Sequence, residues 1–200
     1  MRCKIPGFLL LLMVTPSFAA LKQGDTAPDF KAQASLAGKE FTYSLREALK
    51  KGPVVVYFYP AAFTGGCNLQ AHTFAEDHAK FAAAGASVIG VSLDSISRLN
   101  DFSADPRYCA GALPVASDEK GTIAKYYDIK ITDTYKGQPV ATMKDSRGEE
   151  IGHSTAERTT FVVAPDGKIV ATIGGVAGDA NAEQALVVVQ QLAAKRTARN

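Results

Sequence analysis

The chain has 200 residues, with 22 Lys and Arg against 20 Asp and Glu, three Cys, three His and no Trp. Arg2 and Lys4 head an apolar run, Phe8 to Val14, followed by Ser17 to Ala19, the pattern of an export signal cleaved after Ala19. Loss of residues 1–19 balances the charges at 20 each, which leaves no electrostatic case for nucleic acid or an anionic membrane as partner. The apolar run falls far short of the roughly 20 residues of a membrane span, so the rival reading as an anchor fails on length. Cys3 precedes the run and would leave with the signal, which argues against a lipid anchor. Two cysteines then remain, Cys67 and Cys109, in a compartment where disulfides persist; the expected destination is the periplasm. Residues 20–200 suit one domain with a sizeable core.

Along the chain, Val54 to Tyr59 is a β-branched and aromatic run, as expected for a strand covered on both faces. Gln70 to Gly85 carries Phe74, His78 and Phe81 at helical spacing with Gly85 as its stop, and Ala86 to Leu93 reads as a second central strand. Strand, helix and strand over about 40 residues make a βαβ unit with a parallel pair. A helix over Ser95 to Asp105 ends before Pro106; a short strand, Leu113 to Ser117, and a helix from Glu119 to Ile129 follow. Thr159 to Ile173 gives two alternating strands around Pro165-Asp166-Gly167, a hairpin. The last helix is expected to start near Asn181, with Gln184 as capping-box partner, and to end with Lys195 and Arg196 on the favourable end of its dipole. Lys130 to Glu157 is polar and Gly-rich; an extra strand and a long surface loop both remain open for it. Parallel strands followed by an antiparallel hairpin give an α/β chain with a mixed central β-sheet flanked by helices, compatible with a thioredoxin-like fold.

The most informative stretch is Pro60-Ala-Ala-Phe-Thr-Gly-Gly-Cys67, directly after the first buried strand. With Thr64 as N-cap, Gly65, Gly66 and Cys67 form the first helical turn, where backbone N–H groups lack partners and the positive end of the dipole emerges. A thiolate there is stabilised, and the thiolate is the form that attacks. The Thr64 hydroxyl is placed to bond both backbone and sulfur, while Pro60 fixes the turn and shields the site from water. The bland reading is a buried, inert cysteine that happens to open a helix.

The pattern Pro-x-x-x-Thr-x-x-Cys resembles the active-site motif of the peroxiredoxins, thiol peroxidases of thioredoxin fold. Gly24 to Phe30, Ser87 to Ser95 and Glu157 to Ile169 resemble other stretches of that family in the same order, and "TGGCNLQA" points to its peroxiredoxin Q, or bacterioferritin-comigratory-protein, branch. The resemblance implies that Cys67 is the peroxidatic cysteine, that the Thr64 hydroxyl bonds peroxide and thiolate, and that Pro60 is the wall excluding water. It makes Arg158 the cation that holds the thiolate and polarises the peroxide, and Gln70 the residue that orients the arginine or the helix turn. Without the resemblance, Arg158 reads as a solvated strand-edge residue and Gln70 as an exposed helix residue.

Attack leaves a sulfenic acid that must condense with a thiol before it over-oxidises. Many members of the branch carry the resolving cysteine five positions after the first; this chain has His72 there, read as a helix-surface residue. Cys109, just after the following helix, is similar in position to the resolving cysteine of relatives that carry it on that helix, which implies a Cys67–Cys109 disulfide; a buried structural Cys109, with an outside thiol acting on Cys67, remains the alternative. Such an enzyme takes hydroperoxides as substrate and draws electrons from a thioredoxin-like, glutaredoxin-like or low-molecular-weight thiol. It needs no metal or organic cofactor, and His72, His78 and His153 do not fall at metal-ligand spacing. The branch is often monomeric, so a monomer or weak dimer is expected. The reading from another class is a non-enzymatic thioredoxin-like binding or scaffold protein with a permanent Cys67–Cys109 bridge, which would have no use for Thr64 and Arg158.

Overall fold

A computed structural model describes residues 20–135 and 137–198. The expected signal, residues 1–19 with Cys3, lies outside the described residues. The chain opens with the antiparallel hairpin β1 (Lys31–Leu36) and β2 (Lys39–Ser44). Both turn residues, Ala37 and Gly38, have positive φ (52° and 76°), the tight geometry that matches strand twist. Next come α1 (Leu45–Leu49), β3 (Val54–Phe58), α2 (Gly65–Glu76), α3 (His78–Ala83), β4 (Ser87–Ser92), α4 (Ile96–Ala104), β5 (Val115–Ser117) and α5 (Thr122–Tyr126). Short strands β6 (Ile131–Thr132), β7 (Thr134–Tyr135), β8 (Gln138–Pro139) and β9 (Thr155–Ala156) precede β10 (Thr159–Val163), β11 (Ile169–Gly174) and α6 (Gly178–Thr197).

Among the described residues seven strands form one sheet in the order β11-β10-β3-β4-β5-β1-β2. The pairs β3–β4 and β4–β5 are parallel and the flanking pairs antiparallel, the mixed α/β sheet expected. Successive side chains of a strand point to opposite faces, and β3 uses this to build two cores. Val55, Tyr57 and Tyr59 face a cluster that holds Cys67, Ala71 and Phe74 of α2, Leu99 and Phe102 of α4, and Ala182, Ala185 and Val189 of α6. Val54, Val56 and Phe58 face the other cluster, with Leu45, Ile123 and Tyr127. The stretch Gly24 to Phe30 lies along the β10–β11 turn, where Ala27 N–H donates to Gly167 O at 2.9 Å.

Three expectations change, and an open one is resolved. The helix expected over Gln70 to Gly85 is two, broken at Asp77 (φ −88°, ψ 3°), which takes His78 out of the Phe74–Phe81 stripe and leaves it exposed. Strand β10 does not alternate; it is buried throughout because β3 and β11 pair on either side and both faces are packed. The last helix starts at Gly178 rather than near Asn181, so Asn181 is not its cap. Lys130 to Glu157 holds both alternatives, a strand pair β6–β9 and a loop with its own small hairpin β7–β8. That loop packs Val140 and Ile151 on Ala61, beside the start of α2.

Candidate active site

Helix α2 begins where the sequence places it, with Thr64 as the extended N-cap residue (φ −107°, ψ 144°) and Cys67 in the first turn. The backbone N–H groups of Cys67 and Asn68 both donate to Thr64 O, at 2.9 and 2.8 Å. The Thr64 side chain differs from expectation: its hydroxyl donates to Ala61 O at 2.8 Å and makes no capping bond. That bond ties the loop after β3 to the helix start, and Thr64 lines a cavity there. The cavity is lined by Pro60, Ala61, Thr64, Gly65, Gly66, Cys67, Met143 and Arg158, among others, and measures about 700 Å³. Pro60 is half-buried on its wall, and Cys67 is 2% exposed at its base.

Arg158, half-buried at the start of β10, reaches across so that Nη2 lies 3.4 Å from Cys67 Sγ. Its Nη1 donates to Gln70 Oε1 in a very short contact. Gln70 is fully buried, not an exposed helix residue, and its Nε2 donates to Asn181 Oδ1 at 2.8 Å. Asn181 Oδ1 also accepts from the Thr160 hydroxyl, and its Nδ2 donates to Ile173 O at 3.1 Å. A buried polar group must find its partners inside the fold. The chain Arg158–Gln70–Asn181 meets that demand and anchors the guanidinium to α6. Gly178 makes the approach fit: a Cβ there would lie 2.3 Å from Gly66 O and 2.9 Å from Gln70 Cβ.

Asn181 is the functional-site residue that the local sequence pattern misassigns. An Asn three residues before a Gln reads as a capping box, and only the tertiary need of Gln70 shows otherwise. His72, as expected, sits on the helix surface, where it faces Glu76 at 3.3 Å.

Cys109 lies in the turn after α4, wholly buried, and both cysteines are free thiols. Burial pushes the Cys109 thiol far above the ordinary thiol range, and the Asp105 carboxylate adds to the shift. Tyr57 belongs with both cysteines to the buried cluster under this face of the sheet, and burial raises its phenol well above the ordinary range. The two thiols therefore share one apolar compartment, with Cys109 held protonated and away from water.

A helix-start thiol facing a guanidinium, set on a mixed sheet of thioredoxin-like order, defines a thiol-based redox site. The AhpC/TSA family model matches residues 23–172. A Mycobacterium tuberculosis protein named as a peroxiredoxin is 31% identical over 173 residues, 86% of this chain and 98% of its own length. The crystal structure of peroxidoxin BcpB from Mycobacterium tuberculosis superposes with a TM-score of 0.69 at 30% identity, covering 86% of this chain and 97% of that one. Peroxiredoxin Q of Xanthomonas campestris gives 0.62 at 28% identity over 80% of this chain and 90% of that one. The chain belongs to the AhpC/TSA family and is a peroxiredoxin, a thiol-dependent peroxidase.

Proposed function

We propose that this peroxiredoxin reduces hydroperoxides through Cys67 and closes each turnover as a Cys67–Cys109 disulfide. The observation that carries the reading is the Arg158 Nη2 to Cys67 Sγ contact of 3.4 Å at the base of the cavity. In the first step the Cys67 thiolate attacks one peroxide oxygen, an S–O bond forms and the O–O bond breaks. The departing alkoxide or hydroxide takes up a proton, and Cys67 is left as sulfenic acid. Donors aimed at the charge growing on the departing oxygen speed such a step, and Arg158 with its fixed fork suits that role. In the second step the Cys109 thiol displaces water from the sulfenic acid, and a thioredoxin-like, glutaredoxin-like or small thiol later returns the two electrons. The Xanthomonas campestris bacterioferritin comigratory protein, described for its alkyl peroxide reduction activity, is similar to this chain (TM-score 0.64, 27% identity, 88% of this chain and 99% of that one), which supports organic hydroperoxides as substrates alongside hydrogen peroxide. We also propose export through residues 1–19, on the sequence pattern alone.

Mass spectrometry of the peroxide-treated protein tests the scheme. One equivalent of peroxide should be consumed per chain, with loss of two hydrogens and a single cross-linked peptide pair joining Cys67 to Cys109. Cys67→Ser should consume none. A Cys67 that stays reduced, or is oxidised only to sulfinic acid, overturns the pathway.

We propose that the first turn of α2 opens so that Cys67 can meet buried Cys109, a disulfide needing Cα atoms within about 7 Å and suitable Cβ directions. Gly65 and Gly66 weaken that turn by about 1 kcal/mol each relative to Ala. They are not equivalent: a Cβ on Gly65 meets open space, whereas one on Gly66 would lie 3.1 Å from Arg158 Nη2. Gly65→Ala is therefore the clean probe. It should slow disulfide formation about threefold to fivefold, the kinetic weight of about 1 kcal/mol of helix propensity, and leave the peroxide step unchanged. Stopped-flow fluorescence separates the two phases; equal rates in both for wild type and variant would remove the glycine's role.

A further inference from the structure

Immediately before α2, the Ala62–Phe63 backbone is held by groups from two distant segments, 94–98 and 145–147. Ala62 N–H donates to Asp94 Oδ2 at 2.8 Å, and Ala62 O accepts from Arg98 Nη2 at 3.3 Å. Arg98 is braced between Asp94 Oδ1 at 3.0 Å and Asp145 Oδ2 at 2.6 Å, both of them wholly buried as side chains. Phe63 O accepts from Ser146 N–H at 2.8 Å, and the Arg147 guanidinium lies 3.5 Å above the Phe63 ring. The same ring packs edge-on against Phe102 (5.1 Å) and Tyr108 (5.8 Å), the latter the chain neighbour of Cys109. His153 Nε2 completes the cluster on Asp94 Oδ1 at 2.9 Å.

Phe63 has φ of +61°. A bulky residue is strained in that region and stays there only where its surroundings over-determine it. Here they do, and the residue after it is Thr64, which opens the helix of Cys67. Relaxing Phe63 to negative φ would redirect the chain at Thr64 and move Sγ relative to Arg158.

We propose that Arg98 is a positioning residue for peroxide reduction: braced by Asp94 and Asp145, it fixes the Ala62–Phe63 backbone and with it the first turn of α2. The proposal rests on Cys67 as the attacking thiol. It assigns a distinct role to a residue that touches neither sulfur. Loosening the clamp lowers the population in which Cys67 faces Arg158, but does not hinder the opened form that Cys109 must meet. The expected signature is therefore confined to one step.

The test is single-turnover stopped-flow on the full chain with hydrogen peroxide, for wild type, Arg98→Met, Arg98→Lys and Asp145→Asn. Because an ångström of misplacement costs one to two orders of magnitude, Arg98→Met should slow Cys67 oxidation about tenfold or more. Disulfide formation should keep its wild-type rate or exceed it. Arg98→Lys, which retains the charge and a donor, should recover part of the loss, and Asp145→Asn should slow the same step by about threefold. A wild-type oxidation rate in a folded Arg98→Met, or an equal slowing of both steps, overturns the proposal. Should Arg98→Met fail to fold, Asp145→Asn decides by the same criterion. A wild-type Cys67 inert to peroxide would instead refute the reading of Cys67 itself.

Discussion

Arg158→Met should lower the second-order rate constant for peroxide reduction by about 10²–10³, the cost of removing one preorganised donor from a charge-stabilising site. The guanidinium is fixed in two directions: Nη2 on Cys67 Sγ at 3.4 Å and Nη1 on Gln70 Oε1. Lys130 also lines the cavity, but Arg158 is the cation whose side chain bonds Cys67 Sγ, and neither the apolar wall of Val140 and Met143 nor the Thr64 hydroxyl carries a charge. Methionine keeps most of the stem volume, so the loss reports the charge and its N–H groups rather than packing. Arg158→Lys should recover little, because an ammonium cannot reach Gln70 and the sulfur at once with a planar fork. Single-turnover oxidation of Cys67, followed by intrinsic tyrosine fluorescence or by quenched mass spectrometry, reads the effect directly. A loss of less than threefold would mean that Arg158 is a structural neighbour of the sulfur and no part of the chemistry.

The parts of this site that were legible in the sequence are those whose signal is local. A β-branched run followed by Pro60 and a glycine pair announces a buried strand turning into a helix, and Cys67 falls in its first turn for that reason alone. Arg158 was reachable only through the resemblance, because nothing in its own neighbourhood separates a catalytic arginine from a solvated one; it stands 91 positions along the chain from Cys67. The burial of Gln70 and of Asn181 was hidden for a shared cause. Each is polar, so a local reading puts one on the surface and the other at a helix end, yet both are wholly buried. Their partners are each other, 111 residues apart. The Asp94–Arg98 pair hides in the same way, since an acid and a base at i and i+4 normally mark an exposed helix face. The two-residue strands of the segment 130–157 are too short to show any period, which is why strand and loop could not be separated there.

The scaffold behind Arg158 can be tested apart from the chemistry. Asn181→Ala should cost about 3 kcal/mol, since it strands the Gln70 amide and the Thr160 hydroxyl without partners, and an unsatisfied buried group costs about 1–3 kcal/mol. Asn181 is wholly buried and holds both groups on one oxygen, while its amide donates to Ile173 O at 3.1 Å. A domain of this size loses about 2–4 °C of Tm per kcal/mol, so thermal unfolding of the reduced protein should shift down by roughly 6–12 °C. Peroxide reduction should slow as well, by about tenfold or less, because Gln70 freed from α6 holds Arg158 less firmly while the guanidinium itself remains. The two readouts together separate the anchor from the catalyst: Arg158→Met should leave Tm within a few degrees of wild type yet lose far more rate. An Asn181→Ala protein with unchanged Tm would mean that the Gln70 and Thr160 groups find other partners, and that α6 does not hold the arginine in place.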